Sequence, residues 1–256
     1  MRVAILGFGP SALFSILACN DYGISPTVMA YGFEEPAVVG CFFYHWVPTW
    51  ISEMVGTSLI SVFTYGNEKT YIRKQWGEMS GITSSFNKYT GKILGYNPSA
   101  VNKSIIDICH FEKVKIFKEG GFYLSDVCNK FDYVIQTFPT EFSYNTRPPL
   151  VHIPVSVQES SDPSNFIVYS GLEGDKWVRT SNLFGNRFTE YPPNFAVSSG
   201  DVVVIKDMYP NVEPYQRCGD DPHNLYLVGR FAQWKRTMLA HEAYGRVQNI
   251  LKGVEK

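Results

Sequence analysis

Apolar positions along this chain come in short runs separated by Gly, Pro and polar turns, and the period of the pattern changes from run to run. Val3, Ala4, Ile5 and Leu6 are apolar without a break, as in a strand buried on both faces. Leu13, Phe14, Ile16 and Leu17 follow at helical spacing and predict a helix over 10–20. Ser25-Pro26 opens a second strand, Thr27 to Tyr31. From Phe33 to Trp50 the chain is aromatic and irregular, and Pro36, Gly40 and Pro48 argue against one long element. Ile51 to Tyr65 reads as helix, then strand; Tyr71 to Gly77 (YIRKQWG) reads as a helix ending at its glycine; Ser99 is placed to cap a helix over 100–107. Lys113 to Phe117, the Gly120-Gly121 turn and Phe122 to Leu124 predict a hairpin, and Phe131 to Gln136 a strand ending at Thr137-Phe138-Pro139. Residues 151–207 carry VHIPVSV, FIVYSG, WVRTS, FTEYP and VVVIKD between polar turns, the pattern of an antiparallel sheet. Leu225 to Val228 forms a last strand, Gly229-Arg230 a turn, and 236–251 a long helix. No repeat, low-complexity tract or flexible linker interrupts the series.

Composition narrows the class. The chain has 256 residues, 45% of them apolar and only 18% charged, so a disordered chain is excluded. A net charge of −1 gives no general attraction to nucleic acid or to an anionic membrane. Lys113, Lys115 and Lys118 form a local basic group, most simply a solvated strand face. Five cysteines (19, 41, 109, 128 and 218) contain no C-x-x-C pair, which reads as reduced thiols in a cytoplasmic protein. No run reaches the roughly 18 apolar residues of a membrane span, and the start lacks the form of a signal peptide. The histidines have no metal spacing, so no metal is expected.

The strongest chemical signal is the turn after the first strand. Gly7, Phe8, Gly9, Pro10, Ser11 and Ala12 read G-x-G-x-x-A between a strand and a helix, the context in which this pattern cradles a dinucleotide. Gly7 permits the tight turn, Gly9 lets backbone approach a pyrophosphate, and Ala12 lets helix pack closely on strand. The phosphates belong at the helix N-terminus, where free N–H groups and the helix dipole favour anions.

A strand–glycine turn–helix start, a central sheet and a strand–Gly-Arg–helix ending together resemble the flavoprotein group that includes flavin-containing amine oxidases, protoporphyrinogen oxidase and UDP-galactopyranose mutase. The likeness is closest at residues 3–19, at FDYVIQTFP (131–139) and at NLYLVGRFAQWKRTMLAHEAYGRVQNIL (224–251); YPNVEPY (209–215) also resembles the mutase. The resemblance implies an α/β protein with a Rossmann-like FAD-binding domain (1–50, 108–150 and 205–256) and an inserted antiparallel-sheet substrate domain (51–107 and 151–204). It places Gly7, Gly9, Pro10, Ser11 and Ala12 at the FAD pyrophosphate, Val114 by the adenine, and Thr137 and Pro139 at the strand end. Gly229 and Arg230 fall at the ribityl and phosphate region, with Met238 near the flavin ring. In this group the second strand usually ends in an acid that takes the ribose hydroxyls. Here it ends in Ala30-Tyr31, so either Glu34 or Glu35 loops back or the ribose is held otherwise.

The implied activity is FAD-dependent oxidation of a small or amine-type substrate. Alternatives are a mutase-like isomerase without net redox change, a flavin enzyme acting on a modified nucleotide or nucleic-acid base, and a non-catalytic dinucleotide-binding module. His45, in CFFYHWVP, is the candidate proton carrier; packing among aromatics is its other reading. Arg73 and Trp76 offer a substrate wall or merely an amphipathic helix. Trp177 and Arg179, alternate residues of one expected strand, face either the flavin or solvent. Lys235 stands as a donor to flavin N5, a binder of an acidic substrate, or a solvated helix start. His110, His152 and His223 are read without chemistry and His241 as a packing residue of the last helix. The expected partner is a small molecule or nucleotide.

Overall fold

The computed structural model describes residues 1–77, 84, 86–116, 124–138, 150–196, 198–208, 222–233 and 238–254. They form two compact units: Met1–Pro36, Ser99–Pro149 and Val212–Lys256 make the first, Ala37–Pro98 and Leu150–Asn211 the second. Residues 37–50 and 205–211 thus group with the second unit and 99–107 with the first, unlike the boundaries expected from sequence. Local bonding explains the shift. Cys41 and Tyr44 bond to Glu190 and Tyr96, and Val202–Met208 pairs with Leu150–Glu159, all within the second unit.

The first unit is a five-stranded sheet with parallel pairings throughout. Its strands are β1 (Val3–Leu6), β2 (Thr27–Ala30), β5 (Glu112–Lys115), β6 (Tyr133–Gln136) and β12 (Leu225–Leu227), in the order β12-β6-β1-β2-β5. β1 is central and buried at all four residues, which its unbroken apolar run requires. Strand order reverses at β1, so the crevice beyond its carboxyl end is the place where such sheets bind ligands. Helix α1 (Pro10–Asp21) follows β1 with every residue from Ala12 to Cys19 buried. The last helix, α7 (Glu242–Leu251), packs on α1 and buries Ala243, Val247 and Ile250 at helical spacing. Its Tyr244 hydroxyl bonds the carboxylate of Asp21 at the end of α1. The last helix starts later than the expected 236: α7 begins at Glu242, after a four-residue helix α6 (Arg230–Gln233). Leu124 opens a helix, α5 (Leu124–Cys128), where a hairpin strand was expected. Ser99 lies inside α4 (Pro98–Ile108), because Pro98 takes the first helical place that its fixed φ suits.

The second unit is a seven-stranded sheet. Its strands are β3 (Ser58–Gly66), β4 (Gly91–Gly95), β7 (Leu150–Glu159), β8 (Asn165–Gly171), β9 (Arg179–Leu183), β10 (Asn186–Glu190) and β11 (Val202–Met208), in the order β11-β7-β10-β9-β8-β3-β4. It is mixed, not antiparallel, since β3 and β8 pair in parallel. The two strands lie far apart in sequence, so no hairpin dictates their direction. Helices α2 (Thr49–Val55) and α3 (Glu68–Trp76) belong to this unit. One sheet face is buried in a core of Ile60, Val62, Val155, Ile167 and Phe188 with Tyr71 and Trp76 of α3 and Cys41, Phe43 and Phe86. Asn67 caps α3 by accepting from the Thr70 N–H, and Gly77 ends it at φ +76°.

Candidate functional site

The glycine turn sits at the carboxyl end of β1. Gly7 has φ +106°, a conformation that favours glycine, and its N–H donates to Met29 O at 2.8 Å. A Cβ there would stand 2.7 Å from Thr137 Oγ1. Thr137 is fixed from β6, donating both its N–H (2.9 Å) and its hydroxyl (2.8 Å) to Leu6 O. Gly229, at φ +97°, closes the other side: a Cβ would stand 2.6 Å from Ser11 Oγ. Gly7, Ser11, Thr137 and Gly229, called from three distant stretches of sequence, therefore meet at one place.

Gly9 differs from both. It is the N-cap of α1, with φ −84° and ψ −177°, which any residue adopts, and a Cβ there meets nothing within 4 Å. No side chain caps the helix, its first turn carries no acid, and Pro10 takes the N-terminal place that needs no N–H partner. The fold itself does not require glycine at position 9; open space in front of the helix N-terminus is what a close-lying anion requires. Ala12 is fully buried, as helix-to-strand packing demands.

The remaining cradle residues take the following places. Val114 lies on edge strand β5 opposite Met29. Arg230 opens α6 and donates from Nε to Met238 O at 3.1 Å, and Gln233 Nε2 lies 2.9 Å from Met238 Sδ, so Arg230 and the buried Met238 belong to one turn. Pro139, Lys235 and YPNVEPY lie outside the described residues. Glu34 folds back at the end of β2, its carboxylate filling the space a Cβ of Gly32 would occupy. Sequence reading did not find the cluster beside the turn. Phe8 packs on Phe33 (5.1 Å between centroids) and Phe111 (5.8 Å), and Lys113 Nζ lies over both partner rings. Phe8, the variable residue between two glycines, was the available signal.

His45 is in the second unit, its ring 4.4 Å from Phe43 and 4.9 Å from Tyr89 between centroids. Its loop is fastened by reciprocal backbone bonds between Tyr44 and Tyr96 (3.2 and 2.9 Å) and by the Cys41 N–H donating to Glu190 Oε1 at 2.6 Å. Arg73 pairs on the surface with Glu173 at 2.8 Å, and Trp76 is a core residue. Trp177 precedes β9, which starts at Arg179, so the two are not alternate residues of one strand. Lys74 Nζ sits over the Trp177 ring and donates to Ser170 O and Leu172 O; burial lowers its pKa, against the opposing effect of Asp175. Arg179 turns into the covered face and lies 2.6 Å from Glu190 Oε2, with its guanidinium over the Tyr169 ring. Burial alone would lower the Arg179 pKa, but Glu190 and the neighbouring tyrosines outweigh it and hold it above the ordinary value.

Among the described residues no group of three or more His, Cys, Asp or Glu could hold a metal ion, and no helix is long and apolar enough to cross a membrane. No family model matches the chain, and no curated protein sequence does. Solved structures do match in fold. A reduced UDP-galactopyranose mutase superposes with a TM-score of 0.61 at 9% identity, over 100% of this chain and 96% of that one. L-proline dehydrogenase from P. horikoshii gives 0.59 at 11% identity, over 100% and 94%. PqsL, a probable FAD-dependent monooxygenase from Pseudomonas aeruginosa, gives 0.57 at 11%, over 100% and 88%. The parallel sheet with its glycine turn, followed through a separate mixed sheet, is the fold of the Rossmann-like FAD-binding flavoproteins.

Proposed function

We propose that this chain binds FAD and uses it to oxidise a small or amine-type substrate. The observation that carries the reading is the contrast among three glycines. Gly7 and Gly229 are demanded by backbone conformation and by Thr137 and Ser11, whereas Gly9 is demanded by nothing in the chain and faces open space at a helix N-terminus. That space suits a pyrophosphate. The donors fit the cofactor: the N–H groups of Gly9, Ser11 and Ala12 would hold the pyrophosphate, with Pro10 lying beside it without donating, and Gly7, Thr137 and Gly229 shape the cradle around it. Val114 would border the adenine, and Arg230 and Met238 would approach the flavin portion. Glu34 is the acid that comes back to the end of β2 and would accept from the ribose hydroxyls. When bound, FAD supplies the two-electron acceptor for a hydride leaving a carbon next to nitrogen. His45 would take or deliver a proton at the substrate through an imidazole nitrogen, its ring orientation fixed by Phe43 and Tyr89.

The decisive measurement is the absorption spectrum of the purified protein, together with flavin stoichiometry in Gly9→Val. Oxidised-flavin bands in the parent, lost in a variant that melts near the flavin-free parent, support the reading. A folded Gly9→Val with undiminished flavin overturns it. A mutase-like isomerisation is the second reading, favoured by the superposition on the mutase over nearly all of both chains. Anaerobic mixing with an amine donor separates the two, since only the oxidase reading predicts bleaching of the flavin.

A further inference from the structure

Residues 41–48 form neither helix nor strand apart from a single bridge between Tyr44 and Tyr96, yet Cys41, Phe43 and Tyr44 are buried. Buried backbone groups of an irregular segment need partners from elsewhere in the chain. Tyr44 has them in the backbone of Tyr96. The Cys41 N–H instead donates to a carboxylate, Glu190 Oε1, at 2.6 Å. Glu190 is the last residue of β10 and is 1% exposed; its other oxygen lies 2.6 Å from Arg179, the first residue of β9. An uncharged acceptor would satisfy one N–H. A buried ion pair adds little net stability over apolar side chains, but a charged acceptor makes a short, directional bond. The pair also reaches the other side of the same loop. The Arg179 guanidinium lies over the Tyr169 ring (5.7 Å to the centroid), Tyr169 meets Tyr71 edge-on (5.7 Å between centroids), and Tyr71 packs on Phe86 (5.2 Å). Phe86 opens the turn 86–89 that carries Tyr89. The His45 ring stands between Phe43 and Tyr89, so one ion pair is joined to both of its walls.

We propose that Glu190 is the positioning residue for His45, acting through the Cys41 N–H, with Arg179 holding the carboxylate in place. The proposal rests on the reading of His45 as the proton carrier. A group that moves a proton must stand within hydrogen-bond reach of the reacting atom, and an irregular segment has no ladder of its own to keep it there. Cys41 is fixed to β10 and Tyr44 to Tyr96, which leaves His45 one residue beyond two anchored points. Glu190 touches neither substrate nor cofactor in this role. It decides where the ring stands, not how readily the ring exchanges a proton.

The test compares two double variants of the full chain: first Arg179→Met with Glu190→Met, second Arg179→Met with Glu190→Gln. Both lack the ion pair, and only the second keeps an oxygen for the Cys41 N–H. Apolar replacement of a whole buried pair is commonly tolerated, so the first variant should fold. In NMR of the histidine rings, the His45 signals of the parent should be displaced by the faces of Phe43 and Tyr89. The first variant should move them to the position of an unstacked histidine, and the second should bring them back towards the parent. Anaerobic flavin reduction by benzylamine should slow about 100-fold in the first variant, the cost of about 1 Å of misplacement, and recover in the second. In the unaltered protein the Cys41 amide should exchange slowly with deuterium. Parental His45 signals in the first variant overturn the proposal, as does a second variant no better than the first. Exchange of the Cys41 amide at the unprotected rate overturns it with no variant needed. A parent that benzylamine does not reduce, or a His45→Ala variant as fast as the parent, overturns instead the reading of His45 on which the proposal rests.

Discussion

Single residues separate what the fold needs from what a ligand needs. Gly7 and Gly9 look equivalent in the motif, yet one supports a left-handed turn against Thr137 and the other leaves room. Gly9→Val is therefore expected to lose flavin and to melt near the flavin-free parent, measured by calorimetry and absorbance on one sample. Gly7→Val should lose both. For His45, a general acid or base typically contributes about 100- to 10,000-fold. His45→Ala should retain flavin and slow its anaerobic reduction by that order in stopped flow; a rate within about twofold of the parent returns His45 to a packing role. His241 gives a pH prediction. It precedes α7, packs edge-on against Phe14 (6.4 Å between centroids), and burial lowers its pKa from 6.5, partly countered by Glu242. The unfolded chain thus takes up a proton here before the folded one does. This contribution is neutral above the ordinary histidine value, and stability falls as pH drops through 6.5 towards the lower folded pKa. His241→Gln should flatten the fall in melting temperature over that window.

At the scale of elements, the β9–β10 hairpin turns on two residues, Phe184 (φ +53°) and Gly185 (φ +83°), the type that matches strand twist. That two-residue turn fixes the register and places Arg179 opposite Glu190 on the covered face. The pair is buried, with side-chain exposures of 11% and 1%. Arg179→Met leaves the Glu190 carboxylate buried without its cation, which costs about 3–5 kcal/mol. Replacing both partners with apolar residues should restore much of that, because the desolvation of two charges disappears as well. Denaturant midpoints of the single and double variants decide this. A loss below about 1 kcal/mol for the single variant would mean that the carboxylate is compensated elsewhere. Glu190 also receives the Cys41 N–H, so the pair fastens the loop that carries His45.

At the scale of the molecule, each unit is assembled from separated stretches. A fragment of residues 1–149 has β1, β2, β5 and β6 but lacks edge strand β12, the Gly229 turn and α7. It would leave α1 without the packing of Ala243, Val247 and Ile250. Such a fragment should unfold without cooperativity and retain no flavin in gel filtration, whereas the full chain should unfold cooperatively and retain it. Survival of a cooperative, flavin-binding fragment would show that the C-terminal stretch is dispensable to the cradle.

The sequence alone determined what local physics controls: the apolar run of β1, the glycine turn, the periodic face of α1 and the Gly77 stop all depend on near neighbours. The strand–Gly-Arg ending was legible because Gly229, like Gly7, must hold a positive φ wherever its partner comes from. Tertiary structure alone decided which face each strand buries and which strands pair. β3 and β8 lie in parallel because of the path of the whole chain, and nothing within either strand encodes it. For the same reason Trp76 became core and Arg179 turned inward to Glu190. A charged side chain carries its chemistry in its name, but whether it meets solvent or a counter-ion depends on residues far away in sequence. Register and burial settle those encounters only when the sheet closes.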